Sequence, residues 1–197
     1  MIWLLRFDMI YDSVPWKQSL IRAANWLERM RFEEDDTKAE KQFVRFEKEL
    51  FFGFYLVRKL FDTLKISDAT KQCVVFVQCF PIVEMVEYFD RDNIDRFTDF
   101  NREYIKMVAL YELCNQFVHS YIFVPQIDEE NKLLGCFVSS ERNCLPDRVV
   151  ASSKRPKVYF VDLSDIVSIF RRVGKDYPSR FSRFYDKKEK RWKSFVS

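Results

Sequence analysis

A mainly α fold, a helical bundle carrying a small β-hairpin or three-stranded appendage, is what this sequence predicts, and three observations predict it. Between residues 38 and 63 the apolar positions Phe43, Phe46, Leu50, Phe54, Val57, Leu60 and Phe61 recur at three- and four-residue steps, the spacing of one helix face. Only three glycines stand against 21 phenylalanines in 197 residues. That ratio argues against a sandwich or barrel with many tight turns, and against a glycine-rich phosphate loop. Beyond residue 120 the pattern changes to short β-prone runs divided by polar residues. One domain over 1–177, with its β appendage at about 121–161, and a basic, aromatic tail over 178–197 account for the chain.

In order along the chain, Pro15 suits the first turn of a helix through Trp16, Leu20, Ala23, Ala24 and Leu27. The acidic cluster 33–36 closes that helix or links it to the long one at 38–63. Ser67 or Asp68 caps a segment from about Ala69, within which 73–77 is β-branched enough to be a strand, and Pro81 ends or kinks it before 82–89. Asp99 or Asn101 then caps a helix over 101–119 with the stripe Tyr104, Met107, Val108, Tyr111, Cys114 and Val118. The runs 121–126 and 133–139, separated by Asp128-Glu-Glu-Asn-Lys132, read as a hairpin outside the bundle. After a polar loop over 140–156, residues 157–161 read as a third strand. Asp162 or Ser164 caps a helix through Ile166, Val167, Ile169, Phe170 and Val173 that ends near Gly174. The predicted core comprises Phe46, Leu50, Phe54, Val57, Leu60, Tyr104, Val108 and Tyr111.

With 48% hydrophobic and 32% charged residues the chain is too apolar for intrinsic disorder. Its net charge of +3 is too small to imply a nucleic-acid partner, so any such argument must come from a local patch. Five cysteines, odd in number and without a Cys-x-x-Cys pair, fit free thiols in a reducing cytosol and point to no metal site. The apolar start is too short for a signal peptide, and the longest apolar run, 73–83, falls below the roughly 20 residues that span a bilayer. The expectation is a cytoplasmic protein without a membrane segment and without a cofactor.

The one arrangement suited to catalysis is Asn115 with His119, the only histidine. On a helix the two lie one turn apart on the same face, an imidazole able to move protons near neutral pH beside an amide able to orient a phosphate. Glu112, three residues before Asn115, shares that strip. The structural alternative is a histidine at a helix end and an amide tying two helices together.

Asn115-Gln-Phe-Val-His119 resembles the Arg-Asn-x-x-x-His signature of the HEPN superfamily, helical-bundle proteins of prokaryotic defence and toxin systems. The long helix with Arg58-Lys-Leu60 is similar to the companion helix of such proteins. The resemblance spans residues 38 to 120, with a specific part of five residues. It implies a metal-independent ribonuclease site completed by a dimer, in which His119 transfers protons and an arginine steadies the scissile phosphate. Cys114 occupies the arginine position here and supplies no permanent cation. Cleavage would therefore need a cation from elsewhere, with Arg58 and Arg102 as candidates.

The tail alternates cations and aromatics, with Arg180, Arg183, Lys187, Lys188 and Trp192 as its binding candidates. Such composition tracks a phosphate backbone while stacking bases, docks as an amphipathic helix on a protein, or stays disordered. The function expected from these readings is a HEPN-like component of a defence or toxin-type system that acts on or binds RNA. The alternative is a non-catalytic protein–protein interaction module or assembly subunit docking through the aromatic tail, and a protein partner or a homodimer is expected alongside RNA.

Overall fold

Helix and strand divide this chain more evenly than its sequence predicts. The structure, a computed structural model, describes residues 10–144 and 156–197. Pro15 stands in the first turn of α1 (Val14–Leu27), where a missing N–H leaves no bond unmade. The side chain of Asp35 accepts the Lys38 N–H and starts α2 (Asp36–Asp62), so the acidic cluster is in part a helix cap. Ser67 caps the one-turn α3 (Asp68–Lys71), which leads into β1 (Val74–Pro81). An irregular stretch follows, holding α4 (Ile94–Phe97) and a 3-10 turn over Phe100–Arg102 capped by Asp99. Then come β2 (Tyr104–Ala109), α5 (Leu110–Val118), β3 (Ser120–Ile127), β4 (Leu133–Ser140) and α6 (Glu141–Cys144). The last elements are β5 (Lys157–Asp162), α7 (Leu163–Lys175), β6 (Phe181–Asp186) and β7 (Arg191–Val196).

Five strands form one antiparallel sheet in the order β2-β1-β5-β4-β3. This is an α/β fold, and the expectation of a mainly α bundle with an appended hairpin is overturned. The hairpin of residues 121–139 does form. It is no appendage, because β4 pairs with β5 and β5 pairs with β1 at the middle of the sheet. The predicted helix over 101–119 exists only from Leu110. Its first half is β2, pairing Val108 with Val75, Lys106 with Val77 and Tyr104 with Cys79. Tyr104, Met107, Val108 and Tyr111 satisfy a helical period by spacing alone. Once 104–109 is a strand, alternation turns Val108 into the core and leaves Met107 60% exposed. Tyr104 and Tyr111 are likewise exposed and leave the predicted core, whereas Phe46, Leu50, Phe54, Val57, Leu60 and Val108 are fully buried.

The main core joins one sheet face to the helices. Val75, Val77, Cys136, Val138, Tyr159 and Val161 meet the buried faces of α1, α2, α5 and α7. On the opposite face Phe80, Phe137 and Val158 pack under Ile82, Val86, Ile94 and Phe97 of the irregular stretch. Lys17 of α1 is fully buried, and its ammonium donates to the Lys65 carbonyl at 2.7 Å and to the Asp176 carbonyl beyond α7. Burial holds its pKa below the usual lysine value, with Asp176 working in the other direction.

The tail is neither an amphipathic helix nor a disordered end. β6 and β7 pair as an antiparallel hairpin separate from the large sheet. Its base is tied to α3, where the Val196 N–H donates to Asp68 Oδ2 at 2.9 Å and the Val196 side chain is buried. Burial tends to raise the Asp68 carboxyl, yet the Val196 N–H and Lys71 together bring it below the ordinary aspartate value. An isolated two-stranded hairpin is marginal in water, so this charge-assisted bond should matter to its order. Asp68→Ala is expected to speed amide hydrogen exchange across 181–196 while the exchange of α2 and β5 stays as it was. Unchanged exchange in the hairpin would show that other contacts hold it.

Candidate nucleic-acid interface

Charge is unevenly distributed along the chain. Residues 178–197 hold seven of the 33 lysines and arginines and two of the 30 aspartates and glutamates. That segment is therefore +5 and the remainder −2, so the net positive charge of the protein resides in the hairpin.

The strand register sorts its side chains onto two faces. Phe181, Arg183 and Tyr185 lie opposite Val196, Ser194 and Trp192, while Ser182, Phe184 and Asp186 lie opposite Phe195, Lys193 and Arg191. On the first face Tyr185 meets Trp192 edge-on at 5.5 Å between centroids, and the Arg183 guanidinium sits 4.9 Å from the Trp192 centroid. Trp192 is 58% exposed and Tyr185 48%. On the second face, charges are consumed internally. Lys193 pairs with Asp186 at 2.6 Å and Glu189 at 2.8 Å, which lifts its pKa, and Arg191 pairs with Glu189. Asp186 also accepts the Lys188 and Glu189 N–H groups and so shapes the turn. Among the described residues, Arg180, Arg183, Lys187, Lys188 and Lys190 have no ion-pair partner.

The other predicted site does not assemble in the same way. His119 is the C-cap residue of α5, exposed, and its N–H donates to the Asn115 carbonyl at 3.1 Å. Asn115 is half-buried one turn earlier. Among the described residues, no side chain hydrogen-bonds or ion-pairs with the imidazole. Glu112 is drawn instead to Lys106 at 3.3 Å, and Lys106 also donates to the Tyr159 hydroxyl at 3.0 Å. Arg58 lies 3.4 Å over the Tyr111 ring and pairs with Asp62 at 3.2 Å. Arg102 pairs with Asp99 at 3.2 Å. Cys114 is fully buried and its thiol is pushed far above the usual range by that burial, which makes it a core residue. His119 falls between Val118 and Ser120, which line a groove of about 840 Å³ with Glu47, Lys48, Phe51, Phe52 and Tyr55.

Lys190, part of the basic tail but not among its binding candidates, joins the unpaired cations at the hairpin turn, and one cluster escaped sequence reasoning. The Lys106, Glu112 and Tyr159 cluster satisfies a fully buried phenol beside Cys79, whose thiol burial pushes up to about 11. Neither 104–109 nor 181–185 alternates apolar with polar residues, but Tyr104, Ile105 and Val108 are β-prone, and Asp186-Lys-Lys-Glu-Lys190 is a polar turn between β-prone runs.

The fold and this interface define an α/β protein with a five-stranded antiparallel sheet and a basic, aromatic β-hairpin exposed on both faces. No family model, curated protein or solved structure matches the chain. Among the described residues, no helix is long and apolar enough to cross a membrane.

Proposed function

We propose that this protein binds RNA through the β6–β7 hairpin. The observation that carries the reading is the concentration of unpaired cations beside exposed aromatic rings on one ordered hairpin, attached to a body of opposite net charge. Cations release counterions from a phosphate backbone, and aromatic rings hold unstacked bases without regard to sequence. RNA is the polyanion named because the Asn115 to His119 segment resembles an RNA-directed family. The proposal stops at binding. Cleavage at His119 would need charge stabilisation on the phosphate oxygens, and Arg58 and Arg102 are engaged with other side chains.

Fluorescence anisotropy with a labelled RNA tests the reading, comparing the full chain with one ending at Tyr177. The full chain should bind at low salt, and the shortened chain should bind more than about tenfold more weakly with a similar thermal midpoint. Equal affinity would overturn the proposal. Exposed Phe184 and Phe195 favour a protein-docking hairpin as the rival. That rival gains if the full chain ignores RNA at low salt.

A further inference from the structure

We infer that the Arg183, Tyr185 and Trp192 face of the hairpin is a stacking platform for single-stranded RNA, and that duplex RNA is not its ligand. The inference rests on the reading that the hairpin binds RNA, and adds which face does so and which form of RNA it takes.

The two faces differ in what their charges are doing. Lys193 and Arg191, on the Phe184 and Phe195 face, already have Asp186 and Glu189 as partners. Phosphate would have to displace those carboxylates to gain anything there. Arg183, on the other face, has no carboxylate partner among the described residues. Its guanidinium lies against the Trp192 ring, where a cation–π contact holds the group in place and leaves it able to donate to an anion.

The rings on this face are arranged along a line. Tyr185 and Trp192 are cross-strand partners meeting edge-on, and each presents ring surface to solvent. Phe181 lies on the same face four residues before Tyr185, about 14 Å away along an extended strand, with Arg183 between them. The result is two aromatic stations with a cation in the interval, followed at the turn by Lys187, Lys188 and Lys190. A strand with its bases splayed out can place bases on the rings and a phosphate on the guanidinium. In a duplex the base faces are hidden within the stack, so the rings would contribute nothing and only the cations would act. Binding energy from Tyr185 and Trp192 is therefore available to single strands alone.

The experiment measures the full chain and two double variants against a labelled single-stranded RNA and against the same sequence fully paired. Tyr185→Ala with Trp192→Ala should weaken single-strand binding by about 30-fold or more, the lower end for two stacked bases, and leave duplex binding nearly unchanged. Phe184→Ala with Phe195→Ala should leave both nearly unchanged. Hydrogen exchange over 181–196 checks that each hairpin is still formed. Because removing two cross-strand rings loosens a hairpin, Trp192→Phe is a second arm. It keeps a ring and most of the affinity, but should lose part of the tryptophan quenching that the wild-type chain shows on binding RNA. Equal losses from both double variants, duplex bound as tightly as single strand, or identical quenching in Trp192→Phe would overturn the inference. Those three results would leave RNA binding by the hairpin standing. Absence of any RNA binding by the wild-type chain at low salt would remove the underlying reading and this inference with it.

Discussion

Replacing Phe54 by alanine is expected to lower the unfolding free energy by about 3–5 kcal/mol, the largest effect of any single truncation considered for this fold. Phe54 is fully buried on α2, and its ring stacks on Phe117 of α5 at 3.8 Å between centroids and 6° between planes. Its edge meets Phe170 of α7 at 5.2 Å. One side chain thus bridges three helices, and its loss removes both the transfer free energy and the packing of two other rings. The cavity has little means of closing. Phe170 is already seated against the backbone of Gly53, where a Cβ would run into its ring, so it cannot move far toward the vacated space. Denaturant unfolding should show a lower midpoint with an unchanged slope. Phe52→Ala, at a position 53% exposed, serves as the control and should cost far less. A midpoint in Phe54→Ala equal to that of the control would mean that the α2, α5 and α7 junction is not packed as described.

The second large effect concerns salt. Replacing Arg180, Arg183, Lys187, Lys188 and Lys190 by glutamine should flatten the dependence of RNA affinity on salt. If each cation meets one phosphate of a single strand, the log–log slope changes by about 3.5. In the wild-type chain that slope corresponds to roughly 100-fold loss of affinity between about 50 and 200 mM salt. Replacing Lys193 and Arg191 should change the slope much less, because their charges are already matched by Asp186 and Glu189. The measurement is a titration series in anisotropy at several salt concentrations. A wild-type slope near zero, or a slope that moves as much with the Lys193 and Arg191 changes, would show that these five cations do not carry the binding.

The candidate site shows where sequence reading is strong and where it is blind. Arg180, Arg183, Lys187, Lys188 and Trp192 were recognisable as candidates from composition, since charge and aromatic content are properties of the residues themselves. Their division into two faces was not, because it follows from the β6–β7 register and from which carboxylate each cation reaches. Asn115 and His119 keep their one-turn relation because both belong to the end of α5, which survives as a helix. Glu112 pairs instead with Lys106, which β2 places 3.3 Å away.

What the sequence by itself determined are the elements whose signals lie within a few turns of chain. Pro15 and the Leu20 to Leu27 stripe specify α1, the 3.6-residue period specifies α2, whose Asp35 cap the structure adds, and the Asp162 or Ser164 cap and the Ile166 to Val173 stripe specify α7. The β3–β4 hairpin and β5 were legible for the same reason. Only the tertiary structure decided that Tyr104–Ala109 is a strand, that β5 is the central strand of the sheet, and that the fold is α/β. Those outcomes depend on backbone hydrogen bonds between segments far apart in the chain, such as the pairing of Gln78 with Phe160. Periodicity within either segment carries no record of its partner. Where a local pattern suits helix and strand alike, as in 104–111, the free energy of completing a sheet and its core settles the choice.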